Sequence, residues 1–257
     1  MKITILGSGT STGVPVLGCS CNVCMSPSTF NKRWRASILI QTSQGQNIVV
    51  DTGPEFRLQA LRAGIRTLQH VIYTHIHADH LHGFDDLRGL YFNSGKPIDI
   101  FLDRDYVAEL RHRFHYAFED TGYLGGRPKL NLIELPHDFE SMSIAGVDVE
   151  TARMPHGNVT TNVIKIGRFL YATDFKYFTD EAVRKWRDEI DVMIATGLRW
   201  DEHKTHSTIS ETIDLFKRLR VRRGILTHLS HQVDYERDSP KISGAAEFAY
   251  DGMSIEL

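Results

Sequence analysis

Cysteine is scarce and confined. The chain of 257 residues has three, all between Cys19 and Cys24. An odd set this tightly clustered fits a disulfide framework poorly and a metal site well. Long apolar runs are missing too. None approaches the ~20 residues of a membrane-spanning helix, so no such segment is expected. Neither sign of charge is in excess: 30 Lys and Arg face 32 Asp and Glu, a formal charge of −2. No global basic field draws the chain to nucleic acid or to an anionic membrane. Linkers rich in Pro, Gly or Ser, charge blocks and fixed-period repeats are absent. With 41% hydrophobic and 24% charged residues, the composition excludes disorder and collagen-like repeats. The chain opens on the strand-like KITILG, with no secretory h-region or cleavage site. The expectation is a soluble, cytoplasmic, single domain over residues 1–257, long enough to bury roughly 70–75% of its unfolded surface.

Nucleotide-binding signatures are also lacking. In GSGTSTG the glycines Gly7, Gly9 and Gly13 have the spacing G-x-G-x-x-x-G, and cysteines follow where a helix should open. The run from Gly89 to Gly95-Lys96 has one residue too many for a P-loop, and Pro97 replaces the required Ser or Thr. No H-E-x-x-H occurs.

The element pattern that remains begins with strands at 2–7, 36–42 and 47–51, the last two joined by a turn around Gly45. A helix over 55–63 stops at Gly64. The apolar strand 70–74 runs into the motif discussed below. Helical periodicity returns at 84–92 and 103–116, and strands are expected near 98–102, 131–135, 147–153, 161–166 and 168–173. The last third alternates: a helix at 180–189 with Thr179 as N-cap, a strand at 191–196, a helix behind the Thr208/Glu211 capping box, and a strand at 224–228. Sheets inside and helices outside form the economical architecture. The irregular stretch 116–130 is read equally well as a lid or as a plain surface excursion.

Among 13 histidines, three crowd into His75-Ile-His77-Ala-Asp79-His80. Four potential ligands follow a buried-type strand. Imidazole and carboxylate are the usual donors to catalytic zinc and manganese. On extended backbone His75 and His77 project to one side. Once the chain turns, Asp79 and His80 can face a neighbouring position, so one segment can serve two adjacent metals. Three further candidates, His156, Asp174 and His228, each sit just after a strand, where rigid scaffolds place chemistry.

This ordered set, H-x-H-x-D-H followed by a His, an Asp and a C-terminal His, resembles the metallo-β-lactamase-fold hydrolases over essentially the whole chain. The resemblance implies an α/β fold, an αββα sandwich of two mixed sheets flanked by helices, with a dinuclear metal site at one sheet edge. It implies that His75, His77 and His156 hold one metal, that Asp79, His80 and His228 hold the second, and that Asp174 bridges them. The true β-lactamases of the family typically use a Cys ligand; here every Cys precedes residue 25, which argues against β-lactam hydrolysis. Two divalent ions ~3.5–4 Å apart can share a water and make hydroxide at neutral pH, and can neutralise a phosphoryl oxygen in an in-line displacement.

Cys19, Cys21 and Cys24 place three thiolates within a single turn, in a loop near 18–25. A structural zinc needs a fourth ligand. THLSH offers His228 and His231, one for the catalytic pair and one for the thiolates. The C-x-C-x-x-C, together with T-H-L-S-H-Q and the closing D-G-M, narrows the resemblance to the PhnP-like cyclic phosphodiesterases. There Cys19, Cys21, Cys24 and His231 bind one structural zinc, and two divalent ions, zinc or manganese, occupy the active site. In that pattern a His just before a helix contacts the substrate phosphate and protonates the leaving oxygen. His206 fits best, with His203 as the alternative; an ordinary imidazole suits the work. Asp79 stands with His206 among the catalytic candidates. Arg88 is a candidate substrate contact or a cover for the sheet. His82 is a neighbour of the metal site at most, and His112 and His115 line a surface helix.

The expected activity is therefore metal-dependent hydrolysis of small cyclic or diester phosphates, of the 5-phosphoribosyl 1,2-cyclic phosphate kind. The expected partner is a small phosphate ester, with no membrane and no nucleic acid, and with a homodimer left open. The rivals are a metal protein like that of pyrroloquinoline-quinone biosynthesis, a thiolester hydrolase of the same fold, and a tRNA-processing nuclease. The nuclease would need a long basic insertion, and none is visible.

Overall fold

The computed structural model describes residues 1–119 and 126–257. Fourteen strands are described: β1 (Lys2–Gly7), β2 (Ser37–Gln41), β3 (Asn47–Val50), β4 (His70–Ile72), β5 (Ile98–Leu102), β6 (Leu130–Glu134), β7 (Ser141–Ile144), β8 (Val147–His156), β9 (Val159–Ile166), β10 (Phe169–Ala172), β11 (Val192–Thr196), β12 (Arg223–Thr227), β13 (Glu247–Phe248) and β14 (Ser254–Glu256). They form two sheets, ordered β14-β1-β2-β3-β4-β5-β6 and β13-β12-β11-β10-β9-β8-β7. Each sheet is mixed. β14 through β3 pair antiparallel and β3 through β6 parallel. In the second sheet β7 through β10 pair antiparallel and β10 through β13 parallel.

The two-residue period of the strands divides the core into layers. Ile3, Ile5, Ile38, Ile40 and Ile72 of the first sheet meet Ile164, Tyr171, Ile194 and Ile225 of the second between the sheets. Their neighbours in sequence face outward. Leu39, Val49, Val71 and Ile100 pack under Phe56, Leu87 and Leu110 of the helices over one sheet. Met154, Leu170, Met193 and Leu226 pack under Trp186, Leu215 and Phe216 of the helices over the other. This is the expected αββα sandwich.

The helix ends follow local chemistry. Thr179 caps Asp180–Trp186 through the Ala182 N–H. Thr208 and Glu211 close a reciprocal capping box on Ile209–Leu219, whose Ile209, Thr212, Leu215, Phe216 and Leu219 are buried. Several boundaries differ from expectation. The stretch 84–92 starts as a 3-10 turn and becomes α-helical at Leu87–Ser94. The helix expected over 103–116 breaks at Phe114, and His115–Phe118 forms a separate turn. Strands β7 and β13 and the helix Tyr235–Ile242 were not expected from the sequence. The stretch 116–130, read equally as a lid or a surface excursion, falls partly on 120–125, outside the described residues. No helix among the described residues is long and apolar enough to cross a membrane.

Candidate metal centre

Five strands deliver side chains to one edge of the sandwich, at the carboxyl ends where mixed α/β sheets leave room for ligands. Asp51 follows β3. The histidine-rich segment follows β4, with His77 at the N-cap of a short helix, Ala78–Leu81. His156 ends β8, Asp174 follows β10, and His228 follows β12. Asp51, Asp174 and His228 adopt left-handed backbone, with φ of 64°, 56° and 57°. Such backbone is costly for side-chain-bearing residues and persists where surrounding structure over-determines it. At Asp174 the backbone N–H is fixed on Thr196 Oγ1 at 2.7 Å.

The side chains fall into two groups. His75 Nε2 lies 3.0 Å from His77 Nδ1, and His156 Nε2 lies 3.2 Å from the same atom. In the second group His80 Nε2 is 3.2 Å from Asp79 Oδ2, and His228 Nε2 is 3.6 Å from it. Asp174 stands between the groups. Its Oδ2 is 3.1 Å from His80 Nε2, while its Oδ1 is 3.1 Å from His228 Nε2 and 3.9 Å from His156 Nε2. His75, His80 and His228 are fully buried.

Donor chemistry and spacing both fit divalent cations. Around a tetrahedral ion with bonds of ~2.0–2.1 Å, neighbouring ligand atoms are separated by ~3.3 Å. The nitrogen and oxygen atoms here scatter about that value. His80 Nε2 and His228 Nε2, the nitrogens that face this group, are buried without a hydrogen-bond partner, a state that a metal relieves.

The tautomers are set from behind. His156 Nδ1–H donates to the Thr205 carbonyl at 3.0 Å, leaving Nε2 bare. His80 Nδ1 is 2.7 Å from Asp51 Oδ2. Thr74 Oγ1 donates to the same Asp51 oxygen at 2.8 Å and sits 3.0 Å from His75 Nδ1. Asp51 thus orients two imidazoles, one directly and one through Thr74. The sequence did not single it out, because a lone Asp at the end of the expected strand 47–51 has no ligand spacing of its own.

Electrostatics follow burial and neighbours. Burial holds His75 well below the ordinary histidine range and takes His156 down to about 4. Burial would also lower His80, but the carboxylates of Asp79, Asp174 and Asp51 overturn this and raise it. Burial opposes ionisation of Asp79 and Asp174, yet the adjacent imidazoles hold both below the usual carboxylate range.

In front of these groups lies a cavity of about 140 Å³, lined by Ser11, His77, Asp79, His156, Gly157, Asn158, Asp174, Thr205 and His206. His206 presents Nε2 to Asp174 Oδ1 at 2.8 Å and Nδ1 to Thr205 Oγ1 at 2.9 Å. His203 stands behind it, Nδ1 to Nδ1 at 3.1 Å, outside the cavity lining. Arg88 is not brought to this site. It pairs with Asp85 at 3.0 Å in a separate cleft beside Phe56 and Phe92, because its helix runs along the outer face of the sheet. His82 packs on Phe114 instead.

The cysteine loop forms a second cluster. Cys19, Cys21 and Cys24 Sγ lie 3.3, 3.6 and 3.6 Å from His231 Nδ1. A tetrahedral zinc with three sulfur ligands and one nitrogen sets these separations at ~3.6 Å. The Cys24 backbone N–H helps hold the Cys21 thiol down at about 6, whereas burial pushes Cys24 up to about 11. Of the histidines in THLSH, His228 turns to the sandwich edge and His231 to the thiols.

Comparison with known proteins agrees with this fold. The family model of the beta-lactamase superfamily domain matches residues 46–229. An octanoyltransferase of Porphyromonas gingivalis is 36% identical over 255 residues, covering 98% of this chain and 51% of that protein. The chain therefore spans about half the length of that relative. A solved diphosphatase of the PhnP family is 30% identical, with a TM-score of 0.91 over 100% of this chain and 97% of the other. Zinc-bound PqqB of Methylobacterium extorquens, 18% identical with a TM-score of 0.80 over 100% of both chains, shares the fold. With its two mixed sheets and its His and Asp groups at one edge, the chain belongs to the beta-lactamase superfamily and, within it, to the PhnP family.

Proposed function

We propose that the chain is a metal-dependent phosphodiesterase acting on small cyclic or diester phosphates, of the 5-phosphoribosyl 1,2-cyclic phosphate kind, in the cytoplasm. The observation that carries this reading is Asp174, set between two groups of imidazoles and facing His206 across a small polar cavity. His75, His77 and His156 would hold one divalent cation, zinc or manganese. Asp79, His80 and His228 would hold the other, with Asp174 shared; Cys19, Cys21, Cys24 and His231 would hold a structural zinc. When bound, the paired cations supply Lewis acidity toward a phosphoryl oxygen and lower the pKa of water.

The chain's own residues do the rest. Thr205 and Asp51 keep His156 and His80 in their donor tautomers. His206 holds a proton at Nε2, at the wall of the cavity, where a departing alkoxide can take it. Ser11, Asn158 and Thr205 line the cavity with groups suited to phosphate oxygens.

A second reading, acyl thiolester hydrolysis, is favoured by the octanoyltransferase name of the half-matched relative. The small, polar cavity suits an eight-carbon chain less well than a phosphate. Metal-loaded protein assayed on ribose cyclic phosphates, bis(p-nitrophenyl) phosphate and acyl thiolesters tests the choice. Turnover of the phosphodiesters is expected to dominate; hydrolysis of thiolesters alone would overturn the reading.

A further inference from the structure

We propose that Arg33 is a positioning residue that couples the two metal sites, so that a cation in the cysteine cluster tightens the binding of cations at the sandwich edge, and the reverse. The inference rests on the metal ligands assigned above and is independent of the substrate.

Only Leu229 and Ser230 separate His228 from His231, yet the two rings face opposite ways, one to Asp79 and Asp174 and the other to the three thiols. Whatever fixes this segment sets both ligand groups. Its carbonyls turn inward onto Arg33, a fully buried side chain. Nη1 donates to the Ser230 carbonyl at 3.1 Å and to that of Val233 at 3.0 Å, and Nη2 donates to Val233 at 3.0 Å. Nη2 also donates to Asn31 Oδ1 at 2.9 Å, and Nε to the Phe30 carbonyl at 3.1 Å. The guanidinium thus places all its N–H groups on neutral oxygens, with no ion pair among the described residues. Burial draws Arg33 down to about 10, which leaves it charged at neutral pH. Burying a charged fork away from direct carboxylate contact is costly, and what the fork does there is hold this segment.

The backbone of Arg33 grips the loop that carries the cysteines. Its N–H donates to the Val14 carbonyl at 2.7 Å and its carbonyl accepts from the Val14 N–H at 2.9 Å. Close by, the Val16 N–H donates to Cys24 Sγ at 3.3 Å. Gly9 lies against the same residue: a Cβ there would come within 2.9 Å of Arg33 Cβ. Beside Gly9, the Ser8 carbonyl accepts from the Leu229 N–H at 2.9 Å, and Ser11 lines the metal cavity. Arg33 therefore holds both segments that build the cysteine cluster, and each continues to the sandwich edge, one at His228 and the other at Ser11. A cation that gathers the three thiols with His231 draws these segments together around Arg33 and places His228 for its own group. Lysine carries its donors on a single point and lacks the planar fork, so it cannot span Ser230, Val233 and Asn31 together.

Metal-free protein titrated with manganese, a poor match for thiolates, reports the edge alone by electron paramagnetic resonance. One equivalent of zinc, located on the cysteines by the loss of reactive thiols, is expected to tighten manganese binding about tenfold, within the usual range of coupling between sites. By linkage, saturating manganese should raise the zinc affinity of the cysteine cluster, read by chelator competition, by the same factor. Arg33→Lys should still bind both metals, with unchanged far-ultraviolet circular dichroism, but its coupling factor should fall below about twofold. A zinc effect on manganese below about twofold in the wild type overturns the coupling. The full factor retained in Arg33→Lys overturns the role of Arg33. Should Arg33→Lys not fold, Asn31→Ala, which frees one arm of the guanidinium, decides in its place: loss of at least half the factor is expected, and an unchanged factor overturns the role. A wild type that binds no manganese overturns the ligand assignment itself, and the coupling with it.

Discussion

Asp174 carries the heaviest demand of any single residue, since its two oxygens face imidazoles of both groups. Asp174→Asn removes a full charge without changing shape. It should cost ~10²-fold or more in turnover, together with metal affinity; a fully metallated variant with most of its activity would deny the bridging role. His206 makes a different claim. An alkoxide departs badly without a proton, so His206→Ala should lose ~10²–10⁴-fold on a ribose cyclic phosphate. It should lose far less on a nitrophenyl diester, whose leaving group is stable as an anion. Equal losses on the two would mark His206 as a phosphate binder. Away from the site, burial pushes Asp251 up to about 6 despite its bonds from Ser8 and Trp34. In the unfolded chain it titrates near ~3.9. The folded protein therefore binds the extra proton between these values, and the stability it gains is full below ~pH 4 and lost as pH rises through about 6. Denaturant titrations should show the stability gap between wild type and Asp251→Asn narrowing by roughly 1–3 kcal/mol from pH 4 to 7. A gap constant over that range would show that Asp251 does not titrate there. The residues assembled here were largely legible in the sequence because H-x-H-x-D-H is dense and ordered. Asp51 was not, because a carboxylate that acts through another side chain leaves no spacing of its own. Arg88 was open between a substrate contact and a cover for the sheet; it pairs with Asp85 in a cleft apart from the site, which agrees with the second.

At the scale of elements, the metal-binding turn is locked by backbone contact. The Thr52 N–H donates to the His80 carbonyl and the Gly83 N–H to the Thr52 carbonyl, both at 2.8 Å. A Cβ on Gly83 would come within 2.2 Å of the Gly53 carbonyl oxygen. Gly83→Ala must force these segments apart, at ~1–3 kcal/mol, and shift His80 from its partners. Reduced thermal stability with weakened metal retention is the expected result; a variant indistinguishable in both would show that the close approach is dispensable. Strong periodicity and caps made the long elements readable, as at Thr208–Glu211. Elements fixed by tertiary pairing were less so. β13 is a two-residue strand defined only by its neighbour β12, and Tyr235–Ile242 contains Pro240, which masks a helix.

Across the whole molecule, the two sheets place their parallel halves so that β4, β10 and β12 all end at one edge. No local pattern encodes that strand order; the family resemblance reached only as far as an αββα sandwich of two mixed sheets, and the sheet pairing bears that much out. The cysteine cluster and the His and Asp groups meet through THLSH, which sends one histidine to each. The chain thus gathers candidate metal ligands at two places, and the most direct test is metal content tied to activity. Elemental analysis of protein purified without chelator should approach about three metals per chain. Chelation that removes two of them should abolish phosphodiester turnover, and zinc or manganese should restore it. Undiminished turnover after both are gone would contradict the metal-dependent mechanism outright.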